Sequence, residues 1–212
     1  MIQTMSNIEK TEAYLDKILG NPWCELKFKT DYELLIAIVL SAQTTDKRVN
    51  QVTEVMFTKY NGLEALRTAP TDDLEQILRP IGSYRKKAEY VHQIATILVD
   101  EYNCKVPTKR KELEQLPGVG RKTINVFLSE FYDYPALAVD THVERVSKRL
   151  GLVKDNDDVL TIERKLKRKI KREYWSKRHK QLVLFGRYYC KAKNPSCEEC
   201  SLRDICKTKK NG

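Results

Sequence analysis

The sequence predicts an all-α protein, and three observations support that fold class. Apolar residues recur every three or four positions along nearly the whole chain, which is the spacing of one helix face. No segment shows the alternating apolar and polar pattern that is typical of a half-buried strand. Breaks at Asn61-Gly62, Pro70, Pro80 and Pro107 separate the periodic segments from one another.

The first half of the chain predicts a buried central helix with amphipathic helices around it. Thr30 and Glu33 have the spacing of a capping box, which would open a helix over residues 34–42. Because that helix has no polar face, we expect it to be buried on all sides and to form the core of a domain. Apolar periodicity predicts further helices over residues 49–60, 74–81 and 88–98.

The second half predicts a tight helical hairpin followed by three more helices. A helix is expected from Thr108 to Leu116, where the residues Pro-Gly-Val-Gly stop it. A new helix begins near Arg121 and ends before Pro135. Asp140 has the position of an N-cap for the next helix, and apolar periodicity predicts two more helices over residues 162–170 and 175–188.

The charge distribution points to a polyanionic partner. The 212 residues include 39 Lys and Arg against 29 Asp and Glu, which gives a formal net charge of +10. Residues 1–140 hold 18 basic and 20 acidic side chains, whereas residues 141–212 hold 21 basic and 9 acidic ones. The positive excess therefore lies in the last third of the chain. Residues 164–180 alone contain ten basic residues and one acid. They could form a basic groove that attracts phosphates independently of sequence, or a solvated basic face.

Membrane insertion and secretion are not expected. The longest apolar run, residues 34–40, is far shorter than the roughly 20 residues that cross a bilayer. The N-terminal residues include Glu9, Glu12 and Asp16 and lack the apolar segment of a secretion signal. We therefore expect a protein of the cytosol, or of the nucleus if the cell has one.

Four of the six cysteines have the spacing of a metal centre. Six, two and five residues separate Cys190, Cys197, Cys200 and Cys206. Such clustering favours metal binding in a reducing compartment, where disulfides are rare. Four thiolates can hold either a tetrahedral zinc ion or an iron–sulfur cluster, and the spacing alone leaves both open. Cys24 and Cys104 are expected to be ordinary thiols.

Two shorter motifs have both a structural and a chemical interpretation. Backbone amides of the glycines at 118 and 120 can approach a ligand closely, and the N-terminus of the following helix favours an anion, so the hairpin suits a nucleic-acid phosphate. A plain helix–helix turn would have the same sequence. Asp140 suits an N-cap, and residues 141–144 resemble a capping box, but a carboxylate near a lysine can also govern the charge of that amine.

Together these residues resemble the endonuclease III DNA glycosylases of the helix-hairpin-helix superfamily. The resemblance rests on residues 35–46, with their Leu-Ser-Ala-Gln-Thr-Thr-Asp ending, and on Leu-Pro-Gly-Val-Gly-Arg-Lys-Thr over residues 116–123. Val-Asp-Thr-His over 139–142 and Gly-Arg-Tyr-Tyr-Cys over 186–190, followed by the cysteines, complete it. These motifs occur in the family's order and cover roughly residues 30 to 206.

The resemblance implies a bifunctional enzyme of base-excision repair. Such an enzyme removes oxidised pyrimidines from duplex DNA and nicks the abasic site by β-elimination through a lysine Schiff base. Lys122 falls on the family's nucleophilic lysine and Asp140 on its catalytic aspartate, while the four late cysteines become ligands of a [4Fe–4S] cluster. The amine of Lys122 must lose its proton before it reacts. Burial near Arg121 and other cations would lower its pKa, whereas Asp140 nearby would raise it, so Asp140 is expected to stabilise the positive sugar or to carry protons.

The resemblance also implies two helical domains that flank a DNA-binding cleft. One is a helical barrel over residues 24–134, with its helix-hairpin-helix motif at about 108–127. The other is a cluster domain of residues 1–23 and 135–212. The expected partner is double-stranded DNA with an oxidised pyrimidine or an abasic site, bound by a monomer.

The family's DNA contacts can be transferred residue by residue. Gln43 would fill the space left by the flipped base, and the other expected DNA contacts are Gly118, Val119, Gly120, Arg121 and His142. Ser41 and Asp46 would line the pocket for the damaged base. Ser83 departs from the family, which often has a leucine wedge in this Ile-Gly-x-Tyr loop, and Tyr84 or Ile81 is the expected replacement.

Two other functions share parts of this pattern. A sister adenine glycosylase has the same cluster and hairpin but no nucleophilic lysine, so Lys122 argues against it, as does the expected lack of an extra C-terminal domain. A non-catalytic DNA-binding or redox-sensing module needs neither Lys122 nor Asp140. A strand-nicking assay on an abasic duplex separates that module from an enzyme. The sequence does not specify the preferred lesion.

Overall fold

The computed structural model describes residues 5–208, which contain eleven α-helices and no strand. The prediction of an all-α fold is confirmed. No helix in this part of the chain is long and apolar enough to cross a membrane. The helices are α1 Asn7–Leu19, α2 Asp31–Leu40, α3 Asp46–Lys59, α4 Leu63–Arg67, α5 Thr71–Leu78, α6 Tyr84–Tyr102, α7 Arg110–Leu113, α8 Arg121–Tyr132, α9 Thr141–Arg149, α10 Val159–Lys169 and α11 Trp175–Leu184. A 3₁₀ turn Arg172–Tyr174 precedes α11, and a π-helical turn Phe185–Tyr189 follows it.

Side-chain caps fix the starts of several helices. Ser6 and Glu9 form a complete capping box at the start of α1. The Thr30 hydroxyl caps α2 as predicted by accepting a hydrogen bond from the Glu33 amide, but the Glu33 carboxylate bonds the backbone amide of Lys29 instead of that of Thr30. The predicted box is therefore half formed, and the chain still enters α2 with its first donors satisfied.

Two predicted helices were too long. The helix expected over residues 34–42 ends at Leu40, because the chain turns there and Gln43 takes a left-handed backbone conformation with φ of 57°. The helix expected from 108 to 116 is only the single turn α7. Its continuation consists of i→i+3 bonds, in which the amides of Gln115 and Leu116 donate to Glu112 and Leu113. The proline that follows Leu116 disfavours a helical conformation there.

The chain divides into two compact units. One comprises Cys24–Tyr132, and the other joins the N-terminal segment up to Trp23 to the segment that begins at Asp133. In the first unit every residue from Leu34 to Leu40 is buried, and α2 packs against α3, α6 and α8. The prediction that α2 is a helix buried on all sides is confirmed.

The second unit has its own apolar core between α1, α9, α10 and α11. Val143 and Phe185 are among its buried residues. A buried Arg178 ties α11 to α1, since its guanidinium bonds Glu12 at 3.1 Å and Asp16 at 2.6 Å. Gln181 adds a hydrogen bond to the carbonyl oxygen of Gly20 at 2.8 Å. The N-terminal helix is therefore held by the C-terminal third of the chain.

Candidate functional site

The hairpin between α7 and α8 is built around two glycines with different environments. Gly118 has φ of 73°, and a Cβ there would lie 2.8 Å from the Tyr90 ring and 3.0 Å from Val39. Both the left-handed backbone and the close packing therefore require glycine. A Cβ on Gly120 would meet nothing within 4 Å, so the backbone at this position faces open space. Val119 is buried between them and anchors the loop in the core.

Lys122 lies at the second position of α8, directly after this hairpin. Its side chain is exposed, and its amine has no hydrogen bond or ion pair with any residue in the part of the chain that the structure describes. Arg110 braces the hairpin from the other side by donating a hydrogen bond to the amide oxygen of Asn125. The result is a solvent-accessible amine on a rigid support.

Two loops and the start of α6 meet at one end of the first unit. Gly118 packs on Val39 at the end of α2 and on Tyr90 in α6. The amine of Lys87, also in α6, donates a hydrogen bond to the carbonyl oxygen of Ala42 at 2.8 Å. These contacts bring the hairpin, the 41–45 turn and the start of α6 together. This end carries the exposed Gln43 and the half-buried Ser41 and Asp46.

Two side chains near these loops are less available than the sequence suggested. The Ser41 hydroxyl donates a hydrogen bond to the carbonyl oxygen of Ile38 at 2.7 Å. Ile81, one of the two expected replacements for a leucine wedge, is only 1% exposed and belongs to the core, so it cannot insert into DNA. Tyr84 is half buried against that core, and Ser83 is exposed with φ of 57°.

Asp140 caps α9 with one of its two carboxylate oxygens. Oδ1 accepts hydrogen bonds from the amides of His142 at 3.0 Å and Val143 at 2.8 Å. Oδ2 takes no hydrogen bond from the described residues. The interpretation of Asp140 as an N-cap is confirmed. The capping box expected over residues 141–144 is wrong, because Glu144 pairs with Lys148 instead. One oxygen of a half-buried carboxylate is therefore left for chemistry.

Contacts within the second unit hold the segment around Asp140 in place. The imidazole Nδ1 of His179 lies 2.9 Å from the carbonyl oxygen of Ala138, two residues before Asp140. On the other side, a Cβ on Gly186 would lie 2.8 Å from the Cβ of His142, so α9 and the π-helical turn pack in direct contact. Glycine at 186 permits that packing, which explains its place in the Gly-Arg-Tyr-Tyr-Cys motif.

The four late cysteines lie at the end of the π-helical turn and in the turns that follow. All four are half buried. Burial raises the pKa of the Cys200 thiol, and the charges of Cys190, Cys206 and Cys197 raise it further, so the four sulfurs lie within range of one another's charges. Among residues 5–208, no three His, Cys, Asp or Glu side chains form a group for a single metal ion. Four neighbouring half-buried thiols fit a cluster that takes one sulfur per iron.

Arg149 fixes the backbone at the first of these cysteines. Its guanidinium donates to the carbonyl oxygens of Lys191 at 2.7 Å and Ala192 at 3.2 Å, and it lies 3.4 Å from the Cys190 sulfur. The buried side chain of Leu202 packs into the apolar core of the second unit, together with the partly buried Ile205. The cysteine loop is therefore anchored at both ends by this chain's own residues.

The basic segment 164–180 divides into paired and unpaired side chains. Salt bridges within the second unit bind Lys165 to Asp157, Lys167 to Glu163, Lys177 to Asp16, and Arg178 to Glu12 and Asp16. The side chains that are exposed and pair with no acid among the described residues are Arg164, Arg168, Lys169, Lys171 and Arg172. Only this second group is free to meet a phosphate.

Comparison with known proteins identifies two matching families. Residues 36–172 match the HhH-GPD superfamily base excision DNA repair protein, and residues 190–206 match the iron-sulfur binding domain of endonuclease III. Endonuclease III of Bacillus subtilis (strain 168) is 46% identical over 206 residues, which cover 96% of this chain and 94% of the relative. Endonuclease III of Escherichia coli (strain K12) is 39% identical over 189 residues, which cover 89% of each chain.

Solved structures of complexes with DNA have the same fold. A non-covalent endonuclease III–DNA complex superposes with a TM-score of 0.91 at 45% identity and covers 96% of both chains. A trapped covalent endonuclease III–DNA intermediate gives a TM-score of 0.90 at 45% identity and covers 96% of this chain and 97% of the other. A thermostable thymine-DNA glycosylase, 22% identical with a TM-score of 0.77, shares the fold.

Proposed function

The chain belongs to the endonuclease III family, and from that premise we propose which of its residues perform the reaction. The protein is a base-excision repair enzyme, a DNA glycosylase and abasic-site lyase that acts on double-stranded DNA and carries a [4Fe–4S] cluster. It removes oxidised pyrimidines and nicks the strand by β-elimination through a lysine Schiff base. The proposal concerns the lysine, the acid, the DNA contacts and the cluster ligands.

We propose Lys122 as the nucleophile. The strongest support is its exposed amine directly after the hairpin, which pairs with none of the described residues. The damaged nucleotide must first leave the base stack, because the sugar of a stacked nucleotide is out of reach. The neutral amine nitrogen then bonds to C1′ of the sugar while the bond between C1′ and the base breaks, and the base leaves with the electron pair. Opening of the sugar ring converts the new C–N bond into a Schiff base. The neighbouring C2′ proton is then acidic, and its removal expels the 3′ phosphate.

Asp140 is the proposed catalytic carboxylate of the reaction. The capping bonds to its Oδ1 fix the orientation of the carboxylate, and its Oδ2 has no partner among the described residues. A fixed negative charge stabilises the positive charge that develops on the sugar as the base leaves. The same carboxylate can carry a proton to or from the reacting groups. Capping and catalysis are therefore compatible roles of one side chain.

The proposed DNA contacts lie on both units. In the first unit they are the backbone around Gly118, Val119 and Gly120, the side chain of Arg121, and Gln43. His142 is the proposed contact in the second unit. The N-terminus of α8 suits a phosphate because of the helix dipole, and the Gln43 amide can hydrogen-bond the base that loses its partner. Ser41 and Asp46 are proposed to line the pocket for the damaged base.

We propose that the cluster is bound by Cys190, Cys197, Cys200 and Cys206. Their thiols are half buried and neighbour one another, and the matching family domain spans these four residues. A cluster held by these four sulfurs would stabilise the fold of the cysteine loop, and base removal itself is not a redox reaction. We also propose that the two compact units are the two domains predicted, and that the protein acts as a monomer in the cytoplasm, on nucleoid DNA.

The role of Lys122 is tested by trapping with borohydride, which reduces a Schiff base to a stable amine. Wild-type protein is expected to give a covalent adduct with a lesion duplex, and Lys122→Gln to give none. DNA affinity of this variant should stay nearly unchanged, because phosphate contacts dominate binding. Lys86→Gln, which changes an exposed lysine in α6, is the matched control and should trap normally. Normal trapping by Lys122→Gln would reject the assignment.

A further inference from the structure

Lys87 is a buried lysine on a helix face that is otherwise apolar. It lies in the second turn of α6, it is 5% exposed, and the neighbouring face residues Ala88 and Val91 are fully buried. No carboxylate of the described residues lies within 4.0 Å of its amine, and burial lowers the pKa of that amine. Burying an ammonium group without a counter-ion costs free energy, so the presence of Lys87 at this buried position requires an explanation.

The contact of the Lys87 amine is with one peptide group in the 41–45 turn. Nζ donates a hydrogen bond to the carbonyl oxygen of Ala42 at 2.8 Å. That carbonyl belongs to the peptide that joins Ala42 to Gln43, whose φ is 57°. Flipping this peptide would make φ of Gln43 negative and turn the carbonyl away from Lys87. The hydrogen bond and the left-handed backbone of Gln43 therefore require each other.

We propose that Lys87 is a positioning residue that holds Gln43 in its left-handed conformation and so directs the Gln43 side chain toward DNA. The inference rests on the proposed DNA contact of Gln43. A glycine would adopt this backbone without strain, but it would have no side chain to offer. Glutamine adopts the left-handed backbone at a cost in free energy. A hydrogen bond from a charged donor shifts the equilibrium between the left-handed and the flipped turn on the order of ten- to a hundredfold, which is enough to offset that cost.

The position of the turn can be measured without any activity. Lys87→Met keeps an unbranched side chain of similar length and removes the donor. The amide of Thr44 bonds the carbonyl oxygen of Ser41 at 3.2 Å across the turn, so its hydrogen exchange reports whether the turn is closed. We expect about tenfold faster exchange or more at Thr44 in Lys87→Met, with unchanged exchange in the interior of α8. Lys86→Met, the same change at an exposed neighbour, should leave the turn unchanged.

Unchanged exchange at Thr44 in Lys87→Met would overturn the proposal. Should the methionine variant not fold, Lys87→Leu serves the same measurement, because leucine also lacks a hydrogen-bond donor. A direct contact between Lys87 and a phosphate is a different role, and it predicts a salt slope of DNA binding reduced by about one unit. A reduced slope in Lys87→Met would therefore reject positioning, whereas an unchanged slope supports it.

The link to Gln43 is tested by a double-mutant cycle on base release. Lys87→Met is expected to slow base release from a lesion duplex on the order of tenfold, and to have no further effect in a Gln43→Ala background. An undiminished loss in that background would show that Lys87 does not act through Gln43 and would overturn the inference. A silent Gln43→Ala variant would instead reject the proposed DNA contact of Gln43, while the exchange of Thr44 decides on Lys87 separately.

Discussion

Replacing Asp140 with asparagine separates its structural role from its chemical one. The carboxylate accepts two backbone hydrogen bonds, both on Oδ1, at 3.0 and 2.8 Å. Asp140→Asn keeps an oxygen in that place and removes the negative charge. Asp140→Ala removes both. If the charge performs the chemistry, the two variants should lose activity alike but differ in stability.

The expected magnitudes follow from those two hydrogen bonds. Asparagine caps a helix about as well as aspartate, so Asp140→Asn loses only the charge–dipole interaction, about 0.3–1 kcal/mol. Asp140→Ala loses the cap, about 0.5–2 kcal/mol. For a chain of this size these losses correspond to melting temperatures lower by about 1–3 °C and about 2–6 °C. Turnover should fall by a factor on the order of a hundred or more in both variants.

Single-turnover base release from a lesion duplex and thermal unfolding are the two assays. Asp158 offers a matched control, because its carboxylate caps α10 in the same way, with a hydrogen bond from the Thr161 amide at 2.8 Å. Asp158→Asn should lower the melting temperature as little as Asp140→Asn and leave turnover unchanged. Full activity of Asp140→Asn would refute the reasoning and leave Asp140 as a helix cap only.

Three further predictions concern packing, acid stability and DNA binding. Gly118→Ala places a methyl group 2.8 Å from the Tyr90 ring at a φ of 73°. It should lower the free energy of unfolding, measured by thermal unfolding, by about 2–5 kcal/mol. An unchanged stability would contradict the packing. The hydrogen bond from Arg178 holds the pKa of Asp16 well below its usual value, so stability present at neutral pH should be lost as pH falls below about 4. Arg178→Met should weaken that pH dependence, and an identical pH profile would argue against the ion pair. Lys169→Gln should reduce the salt slope of DNA binding by about one unit. Lys167→Gln should not, because the Lys167 amine pairs with the Glu163 carboxylate. Equal effects would contradict the division of the basic segment into paired and unpaired side chains.

Much of the fold could be predicted because it depends on local patterns. The apolar run of α2 predicted its burial, and the position of Asp140 predicted its cap. The five-residue helix α4 was missed, since Leu63–Arg67 is too short for a periodic pattern. The length of α7 was overestimated because residues that favour helices continue to Leu116, while tertiary packing and the following proline convert them into turns.

Functional residues that depend on distant contacts were missed or misjudged. Lys87 carried a signal that could have found it, because it stands on the buried face of α6 beside Ala88 and Val91. Its bond to Ala42, 45 positions away, could not be predicted from periodicity. The close approach of Gly186 to His142 is also a contact between distant parts of the sequence, which periodicity does not predict. Pairing within the basic segment was equally hidden, since an acid such as Asp16 lies far away in the sequence.

The most direct test of the account is to locate the covalent bond between protein and DNA. Borohydride-trapped wild-type protein can be digested, and the peptide that carries the reduced sugar can be identified by mass spectrometry. The account predicts a single adduct on Lys122, the exposed amine after the hairpin. An adduct on the N-terminal amine or on Lys86 instead would contradict it.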